Sequence, residues 1–114
     1  MNWTPADIPS QKNRIAIVTG ASAGIGAATT RILALKGAHV IMAVRNIEKG
    51  GIVADAIHSE YPNAKLHVME LDLSEIASIH AFATAFLASY DQLDLLINNA
   101  GVYSNGKDGQ TTAD

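Results

Sequence analysis

A chain of 114 residues is long enough for one domain around one modest core. With 48% hydrophobic and 17% charged residues it reads as globular, and its net charge of -3 gives no attraction to nucleic acid or anionic lipid. Cysteine is absent, which excludes disulfides, thiolate nucleophiles and zinc-thiolate sites.

Residues 1–13 contain Pro5 and Pro9 and read as an irregular lead-in. They hold no apolar run of the secretory type, and nowhere does the chain approach the roughly 20 apolar residues of a membrane span. A cytoplasmic location without a membrane partner is the expectation. Residues 15–18 (IAIV) are short, apolar and β-branched, as in a strand covered on both faces. From Ile25 the period becomes helical, with Ile25, Ala28, Ile32 and Leu35 on one side and Gly37 as the stop.

A second buried strand covers 40–44. Asn46 caps a helix that runs to about Tyr61, with Ile47, Ile52 or Val53, Ala56 and Ile57 as its inner face. Gly50 and Gly51 weaken that helix by roughly 1 kcal/mol each. Residues 66–71 form a third strand. Ser74 then caps a helix whose inner face holds Ile76, Ile79, Phe82 or Ala83, Phe86 and Tyr90. Residues 93–97 make a fourth strand, and residues 102–114 are a loose polar tail. The four histidines, His39, His58, His67 and His80, lack ligand spacing and read as surface or sheet-edge residues, so no metal site is expected.

Strand and helix alternating in this way predict an α/β fold: a Rossmann-type, doubly wound parallel sheet of order 3-2-1-4, truncated after its fourth strand. Residues 14–101 form a partial dinucleotide-binding domain. Ligands bind such sheets where the winding reverses, between strands 1 and 4. The glycine loop TGASAGIG at 19–26 lies just there, between a buried strand and a periodic helix. Gly20 makes the turn, Gly24 lets backbone approach a pyrophosphate, and Gly26 permits close helix-sheet packing. The helix-start amides of Ala23, Gly24, Ile25 and Gly26 then meet negative charge, with the Ser22 hydroxyl as a further donor. A surface turn can also hold three glycines, but not usually between those two elements. The loop does not end in Gly-Lys-Ser/Thr, which disfavours a nucleotide triphosphatase.

A free ribose 2'-hydroxyl is usually held by an acidic residue after the second strand. Val44 occupies that place, followed by Arg45, which can donate paired hydrogen bonds to a 2'-phosphate. This favours NADP over NAD, against the alternative of a solvated strand-end arginine. Asp72 can accept from the adenine amino group, with the Leu73 amide against the ring, or it can serve as a helix-start carboxylate beside Ser74. Asn99, Ala100 and Gly101 close the fourth strand, where small residues leave room for a ribose; taken alone they fit an ordinary turn equally well.

Together TGASAGIG at 19–26, Asp72-Leu73 and NNAG at 98–101 resemble the short-chain dehydrogenase/reductase family over nearly the whole chain after residue 13. Val44-Arg45 resembles its NADP-preferring members, although a basic position some of them use is Ala23 here. The segment HVIMAVRNIEKG is similar to the retinol-dehydrogenase-like branch. The resemblance implies hydride transfer between NADP(H) and a small-molecule alcohol or carbonyl. It places the family's serine, tyrosine, lysine and assisting asparagine beyond NNAG, so this chain is expected to bind cofactor without turnover. The pairs Tyr61/Lys65 and Tyr103/Lys107 imitate the Tyr-x-x-x-Lys spacing, but one lies in a Pro62 turn and the other in the tail.

The alternative is a short, non-catalytic dinucleotide-binding or sensor module. A flavin- or methyl-donor-binding Rossmann domain shares the glycine logic without NNAG. Self-association through an exposed fourth-strand edge is expected if that edge is uncovered.

Overall fold

Strand and helix alternate along the chain in a computed structural model that describes residues 9–99. The elements are β1 (Ile15–Thr19), α1 (Gly24–Leu35), β2 (His39–Val44), α2 (Ile47–Glu60), β3 (Lys65–Glu70), α3 (Ile76–Ser89) and β4 (Leu95–Asn98). The sheet is wholly parallel, in the order β3-β2-β1-β4. Ile17 stands opposite Ile41 on one side and Leu96 on the other. The predicted order 3-2-1-4 is the observed one. Ala100, Gly101 and the 102–114 tail lie outside the described residues.

Alternation along the strands divides the core in two. Ala16, Val18, Val40, Met42 and Val44 face α1 and α2, meeting Leu33, Ala34, Ala54 and Ile57. Ile17, Ile41 and Ala43 face α3, meeting Phe86. Val18, Val40, Ile41, Met42 and Val44 are essentially removed from solvent. Each such side chain contributes roughly 1.5–3 kcal/mol of transfer free energy. No helix among the described residues is long and apolar enough to cross a membrane.

The helix phases differ from expectation. In α1 the inner residues are Gly26, Thr30, Leu33 and Ala34, while Ile25 is 76% exposed and Leu35 and Ala28 also face outward. The polar Thr30 can be buried because its hydroxyl donates to the Gly26 carbonyl at 2.8 Å. The stop is as expected: Gly37 has φ 96°, its amide donates to Ala34, and the Ala38 amide donates to Leu33. That pair of bonds satisfies the last carbonyls of α1.

Asn46 caps α2, its Oδ1 accepting from the Glu48 and Lys49 amides. The inner face of α2 is Gly50, Ala54 and Ile57, with Val53 packed at its side; Ile47, Ile52 and Ala56 point outward. Gly50 sets this phase. A Cβ there would stand 2.9 Å from methyls of both Val44 and Val68, so the missing side chain lets the helix approach the sheet. In α3 only Phe86 is buried, with Phe82 and Tyr90 half-buried, while Ile76 and Ile79 are exposed. Ser74 does not cap this helix: the N-cap position is Glu75, with no side-chain cap, and Ser74 belongs to a turn around Asp72.

The two outer strands differ in character. β3 presents Lys65, His67 and Glu70 to solvent, which discourages edge pairing, whereas β4 carries an exposed Leu96. Helix propensity alone predicts that Gly50→Ala stabilises α2 by about 1 kcal/mol. The contact with Val44 and Val68 reverses the sign, and urea denaturation is expected to show a net destabilisation of about 1–2 kcal/mol.

Candidate functional site

β1 ends at Thr19, and the chain turns at Gly20, which has φ 63° and donates its amide to the Ala43 carbonyl of β2. Across the crevice to β4, the Thr19 hydroxyl donates to Asn98 Oδ1 at 2.9 Å. The side chain of Asn98 therefore ties two parallel strand ends together. Asn99 follows, and its buried Nδ2 has no hydrogen-bond partner among the described residues. An orphaned buried amide of this kind favours an acceptor being brought to it.

Gly24 starts α1 with φ 55°, a conformation that L side chains rarely adopt, and a Cβ there would meet nothing within 4 Å. Ala23 is the N-cap residue and offers no side-chain acceptor, and the first turn holds no acidic residue. The amides of Gly24, Ile25 and Gly26 thus lie at the positive end of a helix without a side-chain cap. Ala23, Gly24 and Ile25 are solvent-exposed. Gly26 instead sits beneath the loop. A Cβ there would collide with the Gly20 carbonyl oxygen and lie 2.7 Å from its carbon, so only glycine permits this approach of α1 to β1.

A cavity of about 430 Å³ opens between this loop and the end of β2. Of the expected residues, Gly20, Ser22, Arg45 and Leu73 line it; Leu71 and Ala43 form its apolar walls. Val44 is fully buried beneath it. Asp72 is not among the lining residues: its Oδ1 accepts from the Ser74 amide at 3.0 Å and the Ser74 hydroxyl at 2.6 Å. Those two bonds hold its carboxyl below the usual range, with Arg45 a smaller contributor. The Asp72 amide donates to Ser78 of α3 at 2.8 Å, which fixes the wall on which Leu73 stands.

Lys49 also lines the cavity, a residue that sequence reasoning missed. It occupies the first turn of α2, where a cation opposes the helix dipole. That local conflict was its only signal; the ammonium and the Arg45 guanidinium line one cavity, an arrangement that suits an anion between them. Tyr61, by contrast, caps the far end of α2 and packs against Arg31, away from the cavity. Tyr103 and Lys107 lie outside the described residues.

The cavity thus joins apolar walls to two cations, with the uncapped amides of α1 at the adjoining loop. The sequence profile described as short chain dehydrogenase matches residues 14–114. The chain belongs to the short-chain dehydrogenase family. It is 46% identical over 100 residues to dehydrogenase/reductase SDR family member 13 of Bos taurus, a match covering 88% of this chain and 26% of that protein. It is 47% identical over 100 residues to human retinol dehydrogenase 11, covering 84% and 31%. The resemblance to the retinol-dehydrogenase-like branch agrees with that likeness. Among solved structures, the NADP complex of RhlG from Pseudomonas aeruginosa superposes with a TM-score of 0.73 at 35% identity, covering 82% of this chain and 36% of RhlG. The chain therefore spans about a quarter to a third of the length of the curated relatives it matches.

The two loop glycines separate by mechanism. Gly24→Ala meets no atom and is expected to lose about 1–2 kcal/mol from its left-handed φ alone. Gly26→Ala drives a methyl into the Gly20 carbonyl and is expected to lose about 3 kcal/mol, with urea midpoints in that order.

Proposed function

We propose that this chain binds NADP(H), as the cofactor-holding part of an oxidoreductase that moves a hydride between NADP(H) and an alcohol/carbonyl substrate. The observation that carries this reading is the pair Arg45 and Lys49 on one cavity, above a β2 end where the buried Val44 stands in place of a carboxylate. Two cations suit a 2'-phosphate. Valine can neither chelate a ribose diol nor repel the phosphate. The identity to RhlG, whose structure is an NADP complex, adds support.

In this reading the amides of Gly24, Ile25 and Gly26 and the Ser22 hydroxyl meet the pyrophosphate. Leu71 and Leu73 flank the adenine. The Asn99 amide, with Ala100 and Gly101, borders a ribose. Asp72 holds its turn through Oδ1, which accepts from Ser74, and Oδ2 is left to accept from the adenine amino group. The cofactor supplies the hydride when bound, and none of residues 9–99 is assigned a proton-transfer role.

Fluorescence titration of the chain is expected to show NADPH binding tighter than NADH. Arg45→Ala and Lys49→Ala should each weaken NADPH about tenfold or more while changing NADH little, as expected for loss of a charge-assisted bond. Equal losses for both cofactors would remove the 2'-phosphate assignment. The reading also includes self-association through the β4 edge, where Leu96 is 62% exposed. Light scattering should report a species larger than a monomer, and Leu96→Lys should return it to monomer.

A further inference from the structure

At the opposite end of the sheet from the cofactor cavity, three polar side chains converge that no assigned function uses. The Tyr90 hydroxyl, just past the end of α3, lies 3.1 Å from His39 Nε2 of β2 and 2.9 Å from His67 Nδ1 of β3. The His39 and Tyr90 rings meet edge to face at 5.0 Å, and Tyr90 stacks on Phe86 at 5.1 Å. Phe86 is the one buried side chain of α3, and beside its apolar contact this cluster and the Asp72–Ser78 bond add polar contacts near the two ends of the helix.

We propose that His39, Tyr90 and His67 form an acid-sensitive latch that docks the end of α3 onto the sheet and releases it when both imidazoles are protonated. Proton counting explains why one charge is tolerated and two are not. With both rings neutral, the tyrosine O–H donates to one ring nitrogen and its oxygen accepts N–H from the other. That arrangement needs one lone pair and one N–H facing the hydroxyl. A single imidazolium keeps it intact, because the charged ring donates and the neutral ring still accepts. A second proton turns both nitrogens into donors. The tyrosine O–H then has no acceptor between them, and two cations stand beside one half-buried hydroxyl.

The surrounding groups reinforce this. Lys65 is the register partner of His39 and lies on the same face of β3 as His67, so a further cation faces the cluster. From β1 the neighbour of His39 is the uncharged Ile15. Arg14 contributes its backbone carbonyl, which accepts from the His39 amide. In the segment after α3, Asp91 is exposed, and the Asp94 carboxylate is occupied by the Ile15 amide and Gln92. No carboxylate is therefore bonded to either ring among the described residues. Burial, followed by the charges of His67 and Lys65, pushes His39 below its ordinary value of 6.5. The unfolded chain then binds more protons than the folded one. The stabilisation from His39 is complete above about 6.5 and is lost as pH falls from there through the folded value. Burial also pushes the Tyr90 hydroxyl up, which keeps it a neutral donor throughout.

Hydrogen exchange on the full chain, corrected for intrinsic rates, tests this with α1 and α2 as internal controls. Protection of residues 76–90 is expected to fall several-fold between about pH 7.5 and about pH 5, with α1 and α2 little changed. His39→Gln, which keeps a neutral hydrogen-bonding side chain, should retain protection near pH 7.5 and abolish the step. An undiminished step in that variant, or a loss spread equally over all three helices, overturns the proposal. Should His39→Gln not fold, the unaltered chain decides. The NMR titration midpoint of the His39 ring must coincide with the midpoint of α3 exposure, and separate midpoints overturn the latch.

Discussion

Gly26 lies where the Gly20 carbonyl leaves no room for a Cβ, and the placement of α1 follows from that contact. With its first turn pressed onto the end of β1, α1 begins with uncapped amides beside the turn at Gly20. Its phase is set there too. Gly26, Thr30 and Leu33 turn inward, and Ile25 is left in solvent despite being the larger apolar residue. Packing of a backbone against a backbone thus outranks burial of a single isoleucine.

The same device recurs at Gly50, where α2 meets the sheet over Val44 and Val68. Two glycines therefore place two helices, and between them they shape the cavity. The turn that leads into α1 brings Gly20 and Ser22 to one wall. α2, drawn close by Gly50, brings Lys49 beside Arg45 at the other. The weak helix-forming tendency of Gly50 is offset by the proximity it allows, and the helix is secured at its start by the Asn46 cap.

α3 is held differently. It has no close-packed glycine, and its hold on the sheet runs through an aromatic row, Phe82, Phe86 and Tyr90, ending in the two histidines. Polar bonds at both ends take the place of a broad apolar footprint. One of them passes through Ser78 to the Asp72 amide, so the helix also supports the turn that carries Leu73 into the cavity.

Periodicity and punctuation in the sequence were enough to determine the strand-helix alternation, the order 3-2-1-4, the Asn46 cap, the Gly37 stop and the glycine loop. These are local signals: two-fold and 3.6-fold repeats, cap residues and positive-φ glycines act over a few neighbours in the chain. Which face of each helix turned inward was not local. It depended on how closely backbone and side chains meet in space, as at Gly50 with Val68, eighteen residues on, and at Gly26 with the Gly20 carbonyl once the loop has turned back on itself. The same holds for His39 and His67 sharing the Tyr90 hydroxyl. Side chains meet where strands are brought side by side, and only the tertiary structure decides which residues those are.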